Sequence, residues 1–312
     1  MEWRDQRVLL TGGSGFLGRV LRERLGAEGP ERLLTPGSRE LDLREPQTVR
    51  AYLERHRPTL VVHAAATVGG IGANRRHPGR FFYENAVMGI HLIEEARRVG
   101  VRKLVCLGTV CAYPRLTPVP FREESLWDGY PESTNAPYGI AKKALLVQLQ
   151  AYRQEYGFNG IFLLLVNLYG PGDDFDLEAG HVIPAMIRKF VEARERAAPE
   201  VALWGDGSPT REFLFVADAA EGIVRAAARY DDPEPINLGS GREISIGDLA
   251  ETIRALVGYQ GRIVWDTTKP NGQPRRRLDV GAAERAFGFR AATPFDAGLR
   301  ATVDWYLAHR PA

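Results

Sequence analysis

Cysteine is scarce. The 312-residue chain holds two, Cys106 and Cys111, close together at one expected strand end, which gives no disulfide framework and suits a reducing compartment. No apolar run approaches the length needed to cross a bilayer. Neither sign of charge dominates: 41 Lys and Arg against 39 Asp and Glu leave a formal +2, so neither nucleic acid nor a membrane is called for as a partner. The opening residues, MEWRDQR, are charged and lead straight into a strand, without the basic-then-apolar pattern of a signal peptide. A cytoplasmic location is therefore expected. The sequence has no internal repeat, no low-complexity linker and no metal-ligand spacing.

What is present is an alternation of short apolar runs with helical patterns. RVLLT reads as a strand followed by a glycine turn and a helix from about Phe16 to Leu25; ERLLTPG, TLVVHAAA, KLVCLGT and IFLLLVNLYGP read as further strands. The helices between them are expected near Pro46 to His56, Tyr83 to Val99 and Tyr138 to Tyr156. Continuously apolar strands separated by helices predict an α/β fold, a doubly wound parallel sheet of the Rossmann type covered on both faces. The second half is less regular, with helices expected in HVIPAMIRKFVEARE and in ISIGDLAETIRALVG, the latter closed by Gly258.

TGGSGFLG places Gly12, Gly15 and Gly18 between the first strand and its helix. Gly12 permits the tight turn, Gly15 lets a pyrophosphate approach the backbone, and Gly18 lets helix and strand pack closely. The helix N-terminus, at Phe16 and Leu17, favours the phosphate charge. At the end of the second strand, an acidic residue would accept from the ribose hydroxyl of NAD. Ser38 and Arg39 stand there instead, which favours NADP(H) over NAD(H), unless Arg39 is simply a solvated charge.

Tyr138 and Lys142, in YGIAK, lie one turn apart on one helix face. The lysine cation is expected to favour the phenolate and lower the tyrosine's pKa, readying it to exchange a proton while a nicotinamide exchanges hydride. Thr109, at the end of the fourth strand, can offer a hydroxyl to the same oxygen.

TGGSGFLG, Thr109, YGIAK and VNLYGPG together resemble the extended short-chain dehydrogenase/reductases. A narrower likeness runs through AATVGGIGAN (Ala65 to Asn74), GTVCAYP, STNAPYGIAK, GHVIPAMIRKF, WGDGSPTREFLFVAD and KPNGQPRRRLD. It is to the branch that converts GDP-4-keto-6-deoxymannose to GDP-L-fucose by 3,5-epimerisation and 4-reduction. The resemblance implies that Cys111 and His181 carry protons during epimerisation. It also implies that Asn167, Arg188, Lys189, Trp204, Arg211 and Arg276 line the site of a nucleotide-sugar substrate. Cys111 lies two residues past Thr109, and a thiol there can take a proton made acidic by a ketone. The alternatives are a small buried hydrophobe at Cys111 and a helix cap at His181. Two departures stand out: threonine occupies the strand-end position usual for serine, and Ser14 stands where some relatives place an arginine near the 2′-phosphate.

The expected organisation is a nucleotide-binding domain over 1–170, with a returning segment at about 212–240, and a smaller α/β substrate domain over 171–312. A homodimer is implied through the helices near 83–99 and 138–156. Other readings stay open: an NAD-dependent nucleotide-sugar epimerase without net redox, a 4-ketoreductase alone, or a redox-sensing binding protein.

Overall fold

The computed structural model describes residues 1–177, 180–269 and 271–310. Pro270 of KPNGQPRRRLD and the last two residues of the expected substrate domain lie outside the described residues. In chain order the first half contains β1 (Arg7–Thr11), α1 (Phe16–Ala27), β2 (Arg32–Leu34), α2 (Pro46–His56), β3 (Leu60–His63), α3 (Ile71–Arg76), α4 (Pro78–Arg98), β4 (Lys103–Thr109), α5 (Ala136–Tyr156) and β5 (Gly160–Leu165). There follow β6 (Asn167–Tyr169), α6 (Val182–Glu195), β7 (Glu200–Trp204), β8 (Thr210–Phe215), α7 (Val216–Arg229), β9 (Ile236–Leu238), β10 (Glu243–Ser245), α8 (Ile246–Val257), β11 (Arg262–Asp266), α9 (Gly281–Phe287) and α10 (Phe295–His309).

Six strands form a wholly parallel sheet in the order β2-β1-β3-β4-β5-β9. Both β3 and β4 are buried along their whole length, because helices cover both faces. α1 packs with α7, and α2, α4 and α5 pack in a row. Right-handed crossovers place these two groups on opposite faces. The fold is thus the doubly wound, Rossmann-type α/β arrangement. The strand order reverses beside β1, so the crevice at the carboxyl ends of β1 and β3 is where such a sheet takes a ligand.

IFLLLVNLYGP, expected as one strand, is two. β5 belongs to the large sheet, while β6 pairs with β8 in a three-stranded sheet, β10-β8-β6. Val166 lies between them, its N–H donating to Leu238 of β9. An apolar run cannot reveal such a change of sheet, since both pieces are buried or half-buried. α4 begins at Pro78, five residues before the expected Tyr83, because proline serves well at a first helical position.

Two hydrophobic clusters result. One surrounds the large sheet and takes in α7 and β9, together with Leu278, Ala283, Phe287 and Phe289 from far down the chain. The other joins α6, α8 and α10 to β7 and β8. Among the described residues no helix is long and apolar enough to cross a membrane.

The chain from 273 to 279 crosses back to the large sheet and is pinned there. Phe121 donates to Arg277 O at 2.7 Å, and Asp279 donates back to Phe121 O at 2.8 Å. Buried Asn237, on β9, donates to Phe121 O (3.0 Å) and Asp279 O (3.1 Å) and accepts from the Tyr113 hydroxyl at 2.7 Å. Buried Glu212, on β8, accepts from the N–H of Leu278 (2.6 Å) and of Gly241 (2.7 Å). A buried group left unpaired costs about 1–3 kcal/mol. Asn237→Ala orphans two, the Tyr113 hydroxyl and Asp279 O, since Phe121 O keeps the bond from Asp279 N–H, so we expect it to destabilise the fold by about 2–4 kcal/mol. A urea midpoint within experimental error of the wild type would show that the clamp carries no such weight.

Candidate functional site

The glycine loop follows β1. Gly12 has φ +73°, and a Cβ there would lie 2.7 Å from Ala65 N. A Cβ on Gly18 would sit 1.9 Å from Gly12 O, so only glycine lets α1 lie against the loop. At Gly15 the space beyond Gly12 O is open. The N–H groups of Phe16, Leu17 and Gly18 find no acceptor among the described residues, which leaves a helix N-terminus facing that space. A pyrophosphate fits this cradle of free amides and missing side chains. Arg19 braces it, donating to Ser14 O (3.1 Å) and Gly172 O (2.6 Å). Beyond β2, Ser38 and Arg39 are exposed on a turn closed by Glu40 and Leu41 N–H donating to Gly37 O. Arg39 makes no ion pair among the described residues, so its fork is open to a phosphate.

β4 ends at Thr109, whose hydroxyl accepts from Cys111 N at 3.2 Å and so starts the short turn Val110–Ala112. α5 docks on that turn through Gly139: a Cβ there would lie 2.4 Å from Cys111 O. This close approach brings half-buried Tyr138 beside both Thr109 and Cys111. Burial, reinforced by Cys111, pushes the Tyr138 phenol well above its ordinary value, and the Thr109 hydroxyl opposes that. The expected lowering by Lys142 is not what the structure has. Lys142 is itself buried, and desolvation lowers its own pKa. Its charge reaches His63 and Cys106. His63 is fully buried, meets Thr11 Oγ1 at 2.9 Å through Nδ1, and is driven down to about 3 by burial and then by Lys142. It is therefore a neutral core residue. Burial pushes the Cys106 thiol up to about 11.

The opposite wall comes from the second half. Arg276 is buried; its Nη1 lies 3.7 Å from Cys111 Sγ, and its Nε and Nη2 donate to Gln273 Oε1 at 3.2 and 3.1 Å. Arg211, on β8, donates to Thr210 O (2.7 Å) and Asn271 O (3.3 Å). Burial, then the charge of Arg276, lowers it to about 10. Neither arginine has a carboxylate within ion-pair distance among the described residues. Arg275, by contrast, is paired with Glu243 at 2.5 Å. Asn167 donates to Glu212 O at 3.1 Å.

His181 stands at the N-cap of α6 and is exposed. Crowding by the protein lowers its pKa and neighbouring Asp174 partly restores it. The loop before it is folded on itself: Asp173 accepts from Asp174 N at 2.8 Å, and Arg188 donates to Phe175 O at 3.3 Å and to Glu192 at 2.8 Å. Burial raises buried Asp173 to about 7. Lys189 donates to Ala202 O at 3.1 Å, and Trp204 is exposed with Lys269 Nζ 5.8 Å from its ring. Thr109, Cys111, Tyr138, Arg211 and Arg276 thus converge on one cleft, with Lys142 behind them. Arg188, Lys189 and Trp204 sit around α6 and β7 and are engaged there. The residues that sequence reasoning passed over are Gly139, Arg19 and Gln273. Gly139 carried a signal, since glycine within a helix calls for a packing reason; the other two act through contacts distant in sequence.

Comparison with known proteins agrees with this geometry. Residues 8–239 match the NAD dependent epimerase/dehydratase family. GDP-L-fucose synthase 1 of Arabidopsis thaliana is 39% identical, over 98% of this chain and 95% of its own. GDP-L-fucose synthase of Escherichia coli (strain K12) is 38% identical, over 98% of both. Among solved structures, a GDP-L-fucose synthetase from Naegleria fowleri bound to NADP superposes with TM-score 0.88 at 30% identity, covering 98% of this chain and 95% of that one. With a family match over most of its length and relatives of this identity end to end, the chain belongs to the NAD dependent epimerase/dehydratase family.

Proposed function

We propose that this enzyme epimerises a GDP-linked 4-keto-6-deoxy sugar at carbons 3 and 5 and then reduces it at carbon 4, converting GDP-4-keto-6-deoxymannose to GDP-L-fucose. The observation that carries the reading is Cys111, which a pure reductase does not need, at the end of the same strand as Thr109 and against Tyr138. The curated relatives named for this activity support it.

The order of steps follows from chemistry. The ketone makes the protons on carbons 3 and 5 acidic, and reduction removes the ketone, so epimerisation comes first. Cys111 takes a proton from one face and His181 returns one to the other. Thr109 and Tyr138 then hold the carbonyl oxygen. A tyrosine whose pKa is raised by burial is fully protonated at neutral pH, as a donor to a developing alkoxide must be. The reduced nicotinamide, when bound, supplies the hydride. Lys142 stands one helical turn from Tyr138, buried, where desolvation disfavours its charged form. Arg211 receives the diphosphate, its partly free fork suiting that anion. Arg188, Lys189, Trp204 and Asn167 are assigned to the nucleotide side of the substrate.

NADP(H) is the favoured cofactor, through Ser38 and Arg39. The exposed apolar residues Phe82, Tyr83 and Ile90 of α4 and Val147 and Tyr156 of α5 form the face by which we expect two chains to pair. A reducing cytoplasm suits the two free cysteines.

Cys111→Ser should stop solvent deuterium from entering carbons 3 and 5 while leaving a ketone that can still be reduced. Tyr138→Phe should do the converse, exchanging deuterium but oxidising NADPH about a hundred- to ten-thousandfold more slowly. Mass spectrometry beside NADPH absorbance separates the two, and NMR of the product identifies the sugar; wild-type exchange in Cys111→Ser would sink the epimerase assignment. Arg39→Ala should weaken NADPH about tenfold or more and spare NADH, from the loss of one charged hydrogen bond; equal KM changes for both would remove the 2′-phosphate role. The chain should sediment as a dimer at micromolar concentration, and Val147→Asp should shift it to monomer; a monomeric wild type refutes the interface.

A further inference from the structure

We propose that Arg276 is the counter-ion of the Cys111 thiolate, a positioning residue that sets how readily the sulfur takes the sugar's proton. The proposal rests on the epimerase reading for its biological meaning, but the pair itself can be tested without any sugar.

The geometry is specific. Nη1 of Arg276 is 3.7 Å from Cys111 Sγ. The rest of the guanidinium is fixed, since Nε and Nη2 both donate to Gln273 Oε1. Gln273 is itself buried and anchored by its own donation to Arg115 O at 2.8 Å. The fork therefore cannot swing toward a ligand without breaking two bonds, and its remaining donor faces the sulfur. A neutral carboxamide holds this cation where a carboxylate would have cancelled its charge. A buried cation without a paired anion is costly, and an anion at Cys111 relieves that cost.

The groups facing Cys111 are few. From α5 comes Tyr138, protonated; from β4, Thr109; from β8, the Arg211 cation; from the strap, Arg276. Glu132, whose charge reaches Arg276 and Arg211, already accepts from Thr134 N at 3.1 Å, Ser133 Oγ at 3.3 Å and the Thr134 hydroxyl. Two cations and one engaged carboxylate thus flank the site, and the Arg276 donor is the one that meets the sulfur. Arg211, half-buried and more open, is left for the diphosphate.

The step balances as follows. The C–H electron pair at carbon 3 or 5 becomes the enolate double bond, the carbonyl π pair moves to oxygen, and the proton goes to the Cys111 sulfur. Collapse of the enolate takes a proton from protonated His181 on the opposite face. Both groups recover their starting states by exchange with solvent.

The test is alkylation of Cys111 by iodoacetamide, in which the thiolate displaces iodide, followed by peptide mass spectrometry across pH. Fully buried Cys106 serves as the internal control. Arg276→Met should slow alkylation at neutral pH about tenfold or more and move its pH profile upward, since a nearby cation raises the thiolate fraction. Arg276→Lys should fall between. Gln273→Glu, which gives Arg276 a carboxylate but gives up the donation to Arg115 O, should slow alkylation as well, and Arg276→Lys, which keeps a cation there, answers the case in which Arg276→Met does not fold. With sugar nucleotide, deuterium entry should slow in step with alkylation while KM changes little. Unchanged alkylation rates and pH profiles in folded variants overturn the proposal, and a raised KM with unchanged alkylation makes Arg276 a phosphate ligand instead. Slowed alkylation in the variants, with no deuterium entering the wild type's product, upholds the pair and refutes the epimerase reading alone.

Discussion

A clamp of two buried polar side chains, Glu212 and Asn237, governs how the two halves of the molecule meet. Neither has any exposed surface, so every hydrogen-bonding atom must find a partner within the protein. Glu212 reaches from the small sheet to the N–H of Leu278, and Asn237 reaches from the large sheet to the carbonyls of Phe121 and Asp279. The strap is thereby held from both sides at once. Moving it would unpair a carboxylate away from water, which costs more than an ordinary hydrogen bond gains. Burial already raises the Glu212 pKa, and the backbone donors around it, with the Ser240 hydroxyl, resist that.

The cleft inherits its chemistry from this clamp. Arg276 lies two residues before Leu278, so fixing one fixes the other beside Cys111. The other side of the cleft depends on Gly139, whose missing side chain lets α5 touch the turn after β4. Two close approaches, one from each half, therefore bring a thiol, a phenol and two guanidinium groups together. Their desolvation explains the electrostatics: Tyr138 stays protonated, Arg211 falls to about 10, and His63 stays neutral. A cleft that keeps cations with few carboxylates nearby is built for anions, whether a diphosphate, an enolate or a thiolate.

The stretch from Gly172 to Phe175 is a third tied part. Arg19 ties Gly172 to the phosphate-binding turn, and Arg188 ties Phe175 to α6. Gly172 is thus joined to the cradle at Gly15 through Arg19. Substitutions at Arg188 consequently act on this loop as well as on any ligand.

Local pattern was enough for much of this. The alternation of apolar strands and helices determined the parallel sheet, and KLVCLGT and the helix from Pro46 to His56 match the structure residue for residue, because periodicity and proline act over a few residues. The glycine loop and the Tyr138–Lys142 spacing were legible for the same reason. Tertiary structure alone decided what distant segments do to each other. Val166 splits one apolar run between two sheets, which no hydrophobicity pattern encodes. RRR reads as one basic cluster, yet Arg275 turns to Glu243 and Arg276 to Cys111, because a strap pinned from two sheets presents successive side chains to different surroundings. The Tyr138–Lys142 spacing also suggested a lowered phenol pKa, and burial reversed it. The charge pairing was written in the helix, but the solvent removed around it was set only by the fold.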